Sequence, residues 1–241
     1  MIALVTGVSR EMGLGFGVAR LLAEKEFQVV ITARDITKAE ELAAKLKTEG
    51  HDVTAAAMDV TSDASVEQCA QYVTDTFGSL DVLINNAATG YEFEHDTLNT
   101  PLANVEAALT VNVVGIWRTC NAFLPVLRNS SQPRIVNVSS ESGSFGSEGG
   151  LNSPYTLGML SAYSVSKAAL NAYTVKLAQS LQSTDVLVNA VHPGFTATYE
   201  GLADQGARPA SESAVGVVWA ATLPKDGSTG GFFCDGKPMK W

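Results

Sequence analysis

Residues Thr6–Arg20, TGVSREMGLGFGVAR, follow the apolar run Ile2–Val5 and carry four glycines, Gly7, Gly13, Gly15 and Gly17. Apolar run, glycine loop and amphipathic run read as strand, phosphate-cradling loop and helix. Glycine lets a backbone approach a diphosphate, and a helix N-terminus favours its charge. Two registers fit. In one, Glu11 stands in the place of a middle glycine and Gly13 closes the motif. In the other the loop is G-x5-G-x-G, with Gly13 meeting the diphosphate and Gly15 letting helix and strand pack closely. The helix face decides between them. From Gly15, the offsets i+4, i+7 and i+8 reach Ala19, Leu22 and Ala23, one apolar stripe. From Gly13 they reach Gly17, Arg20 and Leu21, which drives a charge into the stripe. The second register is preferred, and Gly17, inside the helix, is expected to tolerate a methyl group.

Outward from this loop, short apolar runs alternate with amphipathic ones. Seven strands are expected, at IALVT, FQVVITA, DVTAAAMDV, LDVLINN, RIVNVSS, VLVNAV and GFFCD. Nearly continuous apolar runs are typical of parallel strands covered on both faces. The helices expected between them include ITKAEELAAKLKTEG, with Thr37 as N-cap and Gly50 as stop, and SDASVEQCAQYVTDTFG, ending at Gly78. NTPLANVEAALTVNVVG, SAYSVSKAALNAYTVKLAQSLQ and SESAVGVVWAATL follow. Strand–helix alternation over residues 1–241 predicts an α/β, doubly wound fold with a mostly parallel seven-stranded sheet in a single domain. Ligands of such folds sit beyond the carboxyl ends of the strands.

Composition narrows the function. The chain has 241 residues, 46% hydrophobic, and a formal net charge of −9. That balance disfavours nucleic acid, whose partners present a basic face. No apolar run is long enough to span a membrane, and Ile2–Val5 is too short for the core of a secretory leader. Cys69, Cys120 and Cys234 are far apart, as are His51, His95 and His192. No metal site is expected, and the cysteines read as buried small residues in a reducing, cytoplasmic compartment.

Polar or small residues recur at the strand ends: Asp59-Val60, where a carboxylate can accept from an adenine amine, Asn85–Ala88, Asn137–Ser140 and His192–Gly194. Together with the glycine loop, VNVVG (Val111–Gly115), YSVSK (Tyr163–Lys167) and PGFTAT (Pro193–Thr198), they run in order along essentially the whole chain. In this combination the sequence resembles the short-chain dehydrogenase/reductase family, in particular its carbonyl-reductase-like members. The resemblance implies a Rossmann fold and cofactor contacts at Gly7, Ser9, Arg10, Gly13, Leu14, Gly15, Arg34, Asp59, Val60, Asn86, Ala87, Ala88, Tyr163, Lys167, Pro193, Gly194 and Thr196. The long loop is also similar to that of the family's enoyl-thioester reductases, but those place Lys seven positions beyond the Tyr. Residues 162 and 170, seven beyond Tyr155 and Tyr163, are Ala and Leu.

Of the six tyrosines only Tyr163 has Lys at i+4, one helical turn away. A phenol ordinarily titrates near 10, and a nearby ammonium favours its ionised form. The pair can therefore exchange a proton with a substrate oxygen. By resemblance, Ser140 orients the substrate carbonyl and Asn112 tethers a water near the lysine, a role compatible with capping a kink in its helix. Ser139 is expected to bond to backbone.

Where NAD-selective members carry an acid, this chain has Ala33, followed by Arg34. A guanidinium grips a 2′-phosphate that an acid would repel, so NADP(H) is expected, with Arg10 adding charge. Asp35 is expected to point past the strand end. Residues 141–160 form a Gly/Ser-rich insertion read as a lid, and 195–210 a substrate loop. Tyr91, Phe93, Phe145, Tyr155, Phe195 and Tyr199 could line an apolar mouth for a bulky ketone or aldehyde. The function read is NADPH-dependent carbonyl reduction or its reverse, with a small-molecule partner and a possible homo-oligomer. Alternatives are enoyl-thioester reduction and a non-catalytic NADP-binding sensor.

Overall fold

The computed structural model describes residues 1–90, 95–153 and 159–241. Elements alternate from β1 (Ile2–Val5), α1 (Leu14–Glu24), β2 (Gln28–Ala33), α2 (Ile36–Thr48) and β3 (Val53–Ala57) to α3 (Asp63–Phe77) and β4 (Val82–Asn85). The second half holds α4 (Leu102–Leu109), α5 (Ile116–Leu127), β5 (Arg134–Val138), α6 (Ser161–Ser180), β6 (Leu187–Val191), α7 (Ala210–Ala221), β7 (Phe232–Cys234) and β8 (Lys237–Pro238). The sheet order is β3-β2-β1-β4-β5-β6-β7-β8, with every pairing parallel except β7 with β8. This is a doubly wound Rossmann-type sheet, and the order reverses between β1 and β4.

Successive strand residues point to opposite faces, which builds two cores. Ala3, Val5, Val29 and Ile31 meet α1, α2 and α7 through Leu22, Leu46 and Val217. Leu4, Val30, Leu83 and Ile135 meet α3, α5 and α6 through Val73, Phe123 and Leu170. Ala19, Leu22 and Ala23 lie in the first core, while Arg20 turns to pair with Glu49 at the end of α2. Among the described residues no helix is long and apolar enough to cross a membrane.

The structure departs from the sequence reading at several points. An eighth, two-residue strand follows a tight Asp235-Gly236 hairpin in which both residues have positive φ. Helix α2 is capped by Asp35, whose carboxylate accepts from the Thr37 N–H, rather than by Thr37. Asp accepts from an orphan N–H at an N-cap as readily as Thr does. Helix α5 was not expected; it continues α4 through a turn of π-helix at Thr110–Gly115 and carries Pro125 inside. Gly17 is no tolerant position, because a Cβ there would lie 2.9 Å from the Ala210 carbonyl oxygen where α1 crosses α7. Cys69 and Cys120 are buried, but Cys234 is only partly so. Tyr91, Phe93 and Tyr155, read as mouth residues, lie outside the described residues, as does part of the 141–160 insertion.

Candidate active site

The carboxyl ends of β1, β2, β4, β5 and β6 bring together the polar strand-end residues. On the first half, Gly7 adopts a left-handed φ of 72°, and a Cβ there would lie 2.6 Å from the Cα of Ala87. Only glycine fits that turn against β4's end. The loop then runs outward to Gly13, which caps α1. At Gly15 a Cβ would lie 2.6 Å from Asn86 Nδ2, the atom that donates to the Thr6 carbonyl at 2.7 Å. Gly15 thus packs α1 against the Asn86–Ala87 tip, whose backbone N–H groups both donate to Thr6 Oγ1 at 3.0 Å. Glu11 turns away from this cradle to pair with Lys45 of α2.

The end of β2 presents Ala33, buried, and Arg34, exposed. Asp35 is occupied as the cap of α2. Beyond β3, Asp59 accepts from the N–H and hydroxyl of Thr61 at 2.9 and 2.8 Å. Burial alone would raise its carboxyl, but those bonds and the charges of Arg34 and Arg118 outweigh burial and hold it below the usual carboxylate range. Arg118, on α5, also donates to the Val60 carbonyl at 2.6 Å and so fixes the Asp59-Val60 strip. Arg10 stacks on the Tyr199 ring, 3.9 Å from its centroid, joining the glycine loop to the loop after β6.

The second half is built differently, from buried side chains. Tyr163 and Lys167 sit one turn apart on α6, both buried. Lys167 Nζ donates to the Val138 carbonyl at 2.8 Å and lies 5.5 Å from the centroid of the Tyr163 ring. Burial pushes its ammonium down to about 7. The Ser140 segment is pressed against the same helix face. A Cβ at Gly143 would lie 2.5 Å from the Lys167 carbonyl carbon, and Asn171 Nδ2 donates to the Gly143 carbonyl at 3.3 Å. Ser139 donates to Asn171 Oδ1 at 2.5 Å, so its partner is a side chain and not backbone. Ser140 caps a short turn, its oxygen accepting from the Ser142 N–H at 3.2 Å and the Ser142 hydroxyl at 2.9 Å.

Asn112 is fully buried in the π-turn. Its amide donates to the Thr89 carbonyl and the Ser166 hydroxyl, and its oxygen accepts from the Thr89 N–H, all at 2.9 Å. Ser166 donates in turn to the Tyr163 carbonyl at 2.7 Å. Asn112 therefore ties β4's exit loop to α6 at Tyr163.

The structure also brings in residues that the sequence reading left out: Asn171, Ser166, Arg208 and Asp235. Asn171 was legible, because Tyr163, Lys167 and Asn171 follow i, i+4, i+8. Arg208 carried no local signal; its partners Pro193 and Asp235 are 15 and 27 residues away. Of the described mouth residues, Phe145, Phe195 and Tyr199 are exposed. A separate hollow lined by Met1, Phe27, His51 and Asp52 lies at the amino ends of the strands, away from all of these groups.

Residues 1–201 match the family model described as short chain dehydrogenase. The (+)-neomenthol dehydrogenase of Arabidopsis thaliana is 31% identical, over 98% of this chain and 96% of its own. An NADPH-bound carbonyl reductase from chicken fatty liver superposes with a TM-score of 0.86 at 28% identity, covering 99% of this chain and 98% of that one. A metagenomic short-chain oxidoreductase solved with NADP gives 0.77 at 28% identity, over 95% and 93%.

Proposed function

Because this chain belongs to the short chain dehydrogenase family of oxidoreductases, we propose that it reduces a ketone or aldehyde to an alcohol with NADPH, or runs the reverse. The observation that carries this reading is the Tyr163–Lys167 pair. The two share one buried turn of α6, and the Ser140 segment is pinned to the same face. NADP(H) fits the residues present. Gly7, Gly13 and Gly15 leave a backbone cradle that Cβ atoms would fill or disturb, with Ser9 and Leu14 beside it. Asn86, Ala87 and Ala88 form its floor, and Asp59 and Val60 face the adenine side. Arg34 beside Ala33 suits a 2′-phosphate, and Pro193, Gly194 and Thr196 suit the nicotinamide half. Two of the similar structures hold NADP(H), which supports the choice.

The bound cofactor supplies a hydride for the carbonyl carbon. Ser140 holds the carbonyl oxygen with its hydroxyl, and Tyr163 gives that oxygen a proton as negative charge develops. Lys167, when charged, favours the phenolate left behind. With Asn112's amide hydrogens already engaged, its water-tethering role falls to the remaining lone pair of its oxygen. Residues 141–160 would act as a lid and 195–210 as the substrate loop, with Phe145, Phe195 and Tyr199 offering apolar bulk. A reducing, cytoplasmic setting suits three free cysteines.

The test is NADPH oxidation against a panel of ketones and aldehydes with apolar substituents, with an enoyl thioester alongside. Turnover of carbonyls alone is expected. Turnover of the enoyl thioester alone would favour C=C reduction, and tight NADPH binding without any turnover would favour a sensor.

A further inference from the structure

The segment after β6 is held by a device with no place in the Tyr–Lys–Ser chemistry. Arg208, just before α7, donates to the Pro193 carbonyl through both Nε, at 3.0 Å, and Nη2, at 2.6 Å. Its Nε also donates to Ser213 Oγ at 3.1 Å. On its far side the guanidinium grips both oxygens of Asp235, at 2.8 and 2.7 Å. A Cβ on Gly194, whose φ is 76°, would lie 2.7 Å from Arg208 Nε, so the guanidinium occupies the space beside that turn. The backbone repeats the closure: the Arg208 N–H donates to the Phe195 carbonyl, and the Ala197 N–H to the Arg208 carbonyl, both at 2.9 Å. Thr196 Oγ1 shares a hydrogen bond with Ser213 at 2.8 Å. Arg208 thereby fixes Pro193–Thr196 on one side and closes the neck of the 195–210 loop on the other.

Asp235 is placed for this by the C-terminal hairpin. Asp235 and Gly236 have φ of 48° and 75° between β7 and β8, the positive-φ pair that Asp-Gly adopts in two-residue turns. The Arg208 charge and hydrogen bonds hold the Asp235 carboxyl below its usual range, and Asp235 in turn raises Arg208. A planar fork can serve a carboxylate and a carbonyl at once, which an ammonium cannot do in the same geometry.

We propose that Arg208, held by Asp235, is a positioning residue that sets Pro193–Thr196 for the nicotinamide half of the cofactor. The proposal rests on the NADP(H) reading above. Preorganised donors and backbone lower the ordering cost of binding only for the part of the ligand they meet. The adenosine half, bound at the other end of the sheet, should not register the change.

The experiment measures equilibrium binding of NADP+ and of adenosine 2′,5′-bisphosphate, which lacks the nicotinamide, to unmodified protein, Arg208→Ala, Arg208→Lys and Asp235→Asn. Arg208→Ala is expected to weaken NADP+ by roughly ten- to hundred-fold, the range of one charge-assisted hydrogen bond, and to leave the bisphosphate within about twofold. Arg208→Lys should fall between. Asp235→Asn keeps the fork on Pro193 and changes an exposed side chain, so it carries the test if Arg208→Ala fails to fold; a smaller loss confined to NADP+ is expected. Equal weakening of both ligands, or of neither, overturns the proposal. Failure of the unmodified protein to bind either compound overturns the functional reading and this inference with it.

Discussion

The two halves of the site hold their functional groups by different means. At the β1–α1 and β2–α2 ends, the cradle is backbone and glycine, and its charges, Arg10 and Arg34, are exposed. At the β5 and α6 ends, Asn112, Ser139, Lys167 and Asn171 are buried and tied to one another or to backbone. A buried polar group is costly unless each partner is in place. The half around Tyr163 and Lys167 is therefore held by buried side-chain bonds, while in the glycine-loop half the backbone is packed and only the charged side chains stand exposed, where the proposed cofactor would meet them. Substitutions in the first should change chemistry or stability, and those in the second affinity and cofactor choice.

The largest expected effect comes from Tyr163→Phe. Turnover should fall by about 10²–10⁴-fold, the range of general-acid effects, with NADPH affinity nearly unchanged. Near-normal turnover would remove the phenol from the chemistry and break the contrast between the halves. The assay is steady-state kinetics beside direct NADPH titration.

Lys167 gives the next effect, read on cofactor-free protein. Its folded-state pKa of about 7 lies below the ordinary lysine value. Between the two, the unfolded chain binds the extra proton, so this residue's contribution to stability rises as pH climbs through that window and is lowest below it. Lys167→Met removes the titration. Denaturant midpoints from pH 7 to pH 10 should show the unmodified protein gaining on the variant. Parallel curves would mean that the ammonium is solvated when folded.

Cofactor choice should respond more mildly. A partly exposed guanidinium–phosphate pair contributes about 1–3 kcal/mol, so NADPH should be preferred over NADH by roughly ten- to hundred-fold. Added salt should narrow that margin. Ala33→Asp with Arg34→Ala should invert it without changing the Tyr163 chemistry. Equal kcat/KM for both cofactors in the unmodified protein would mean Arg34 does not meet the phosphate.

The smallest effect separates two neighbouring glycines. Gly17→Ala pushes a methyl against the Ala210 carbonyl and should lower stability by about 1–2 kcal/mol through misfit of α1 on α7. NADPH affinity of the folded protein should hold. Gly15→Ala should instead disturb Asn86 and weaken the cofactor. Thermal melts with and without NADPH distinguish the two outcomes.

Patterns carried by neighbouring residues were legible in the sequence. The strand–helix alternation, the stripe from Gly15 through Ala23, the Gly78 stop and the i, i+4 pair of Tyr163 and Lys167 each rest on a few adjacent positions. Gly17 misled because its obstacle, Ala210, is distant in sequence and close only after α1 crosses α7. Arg208 and Asp235 escaped for the same reason. The Asp-Gly hairpin signal before β8 was present, but a two-residue strand has no periodicity to read. Asp35 displaced Thr37 as cap because either side chain can serve, and the helix starts at Ile36, two residues earlier than a cap at Thr37 would place it.

Carbonyl reduction by this chain is read most directly by following the hydride itself. NADPH deuterated at nicotinamide C4, on each face in turn, is incubated with the protein and a carbonyl from the panel, and the product is examined by mass spectrometry and NMR. Carbonyl reduction requires deuterium on the carbinol carbon, delivered from one face only. Deuterium on a carbon that was part of a C=C bond, or none transferred from either face, would contradict it.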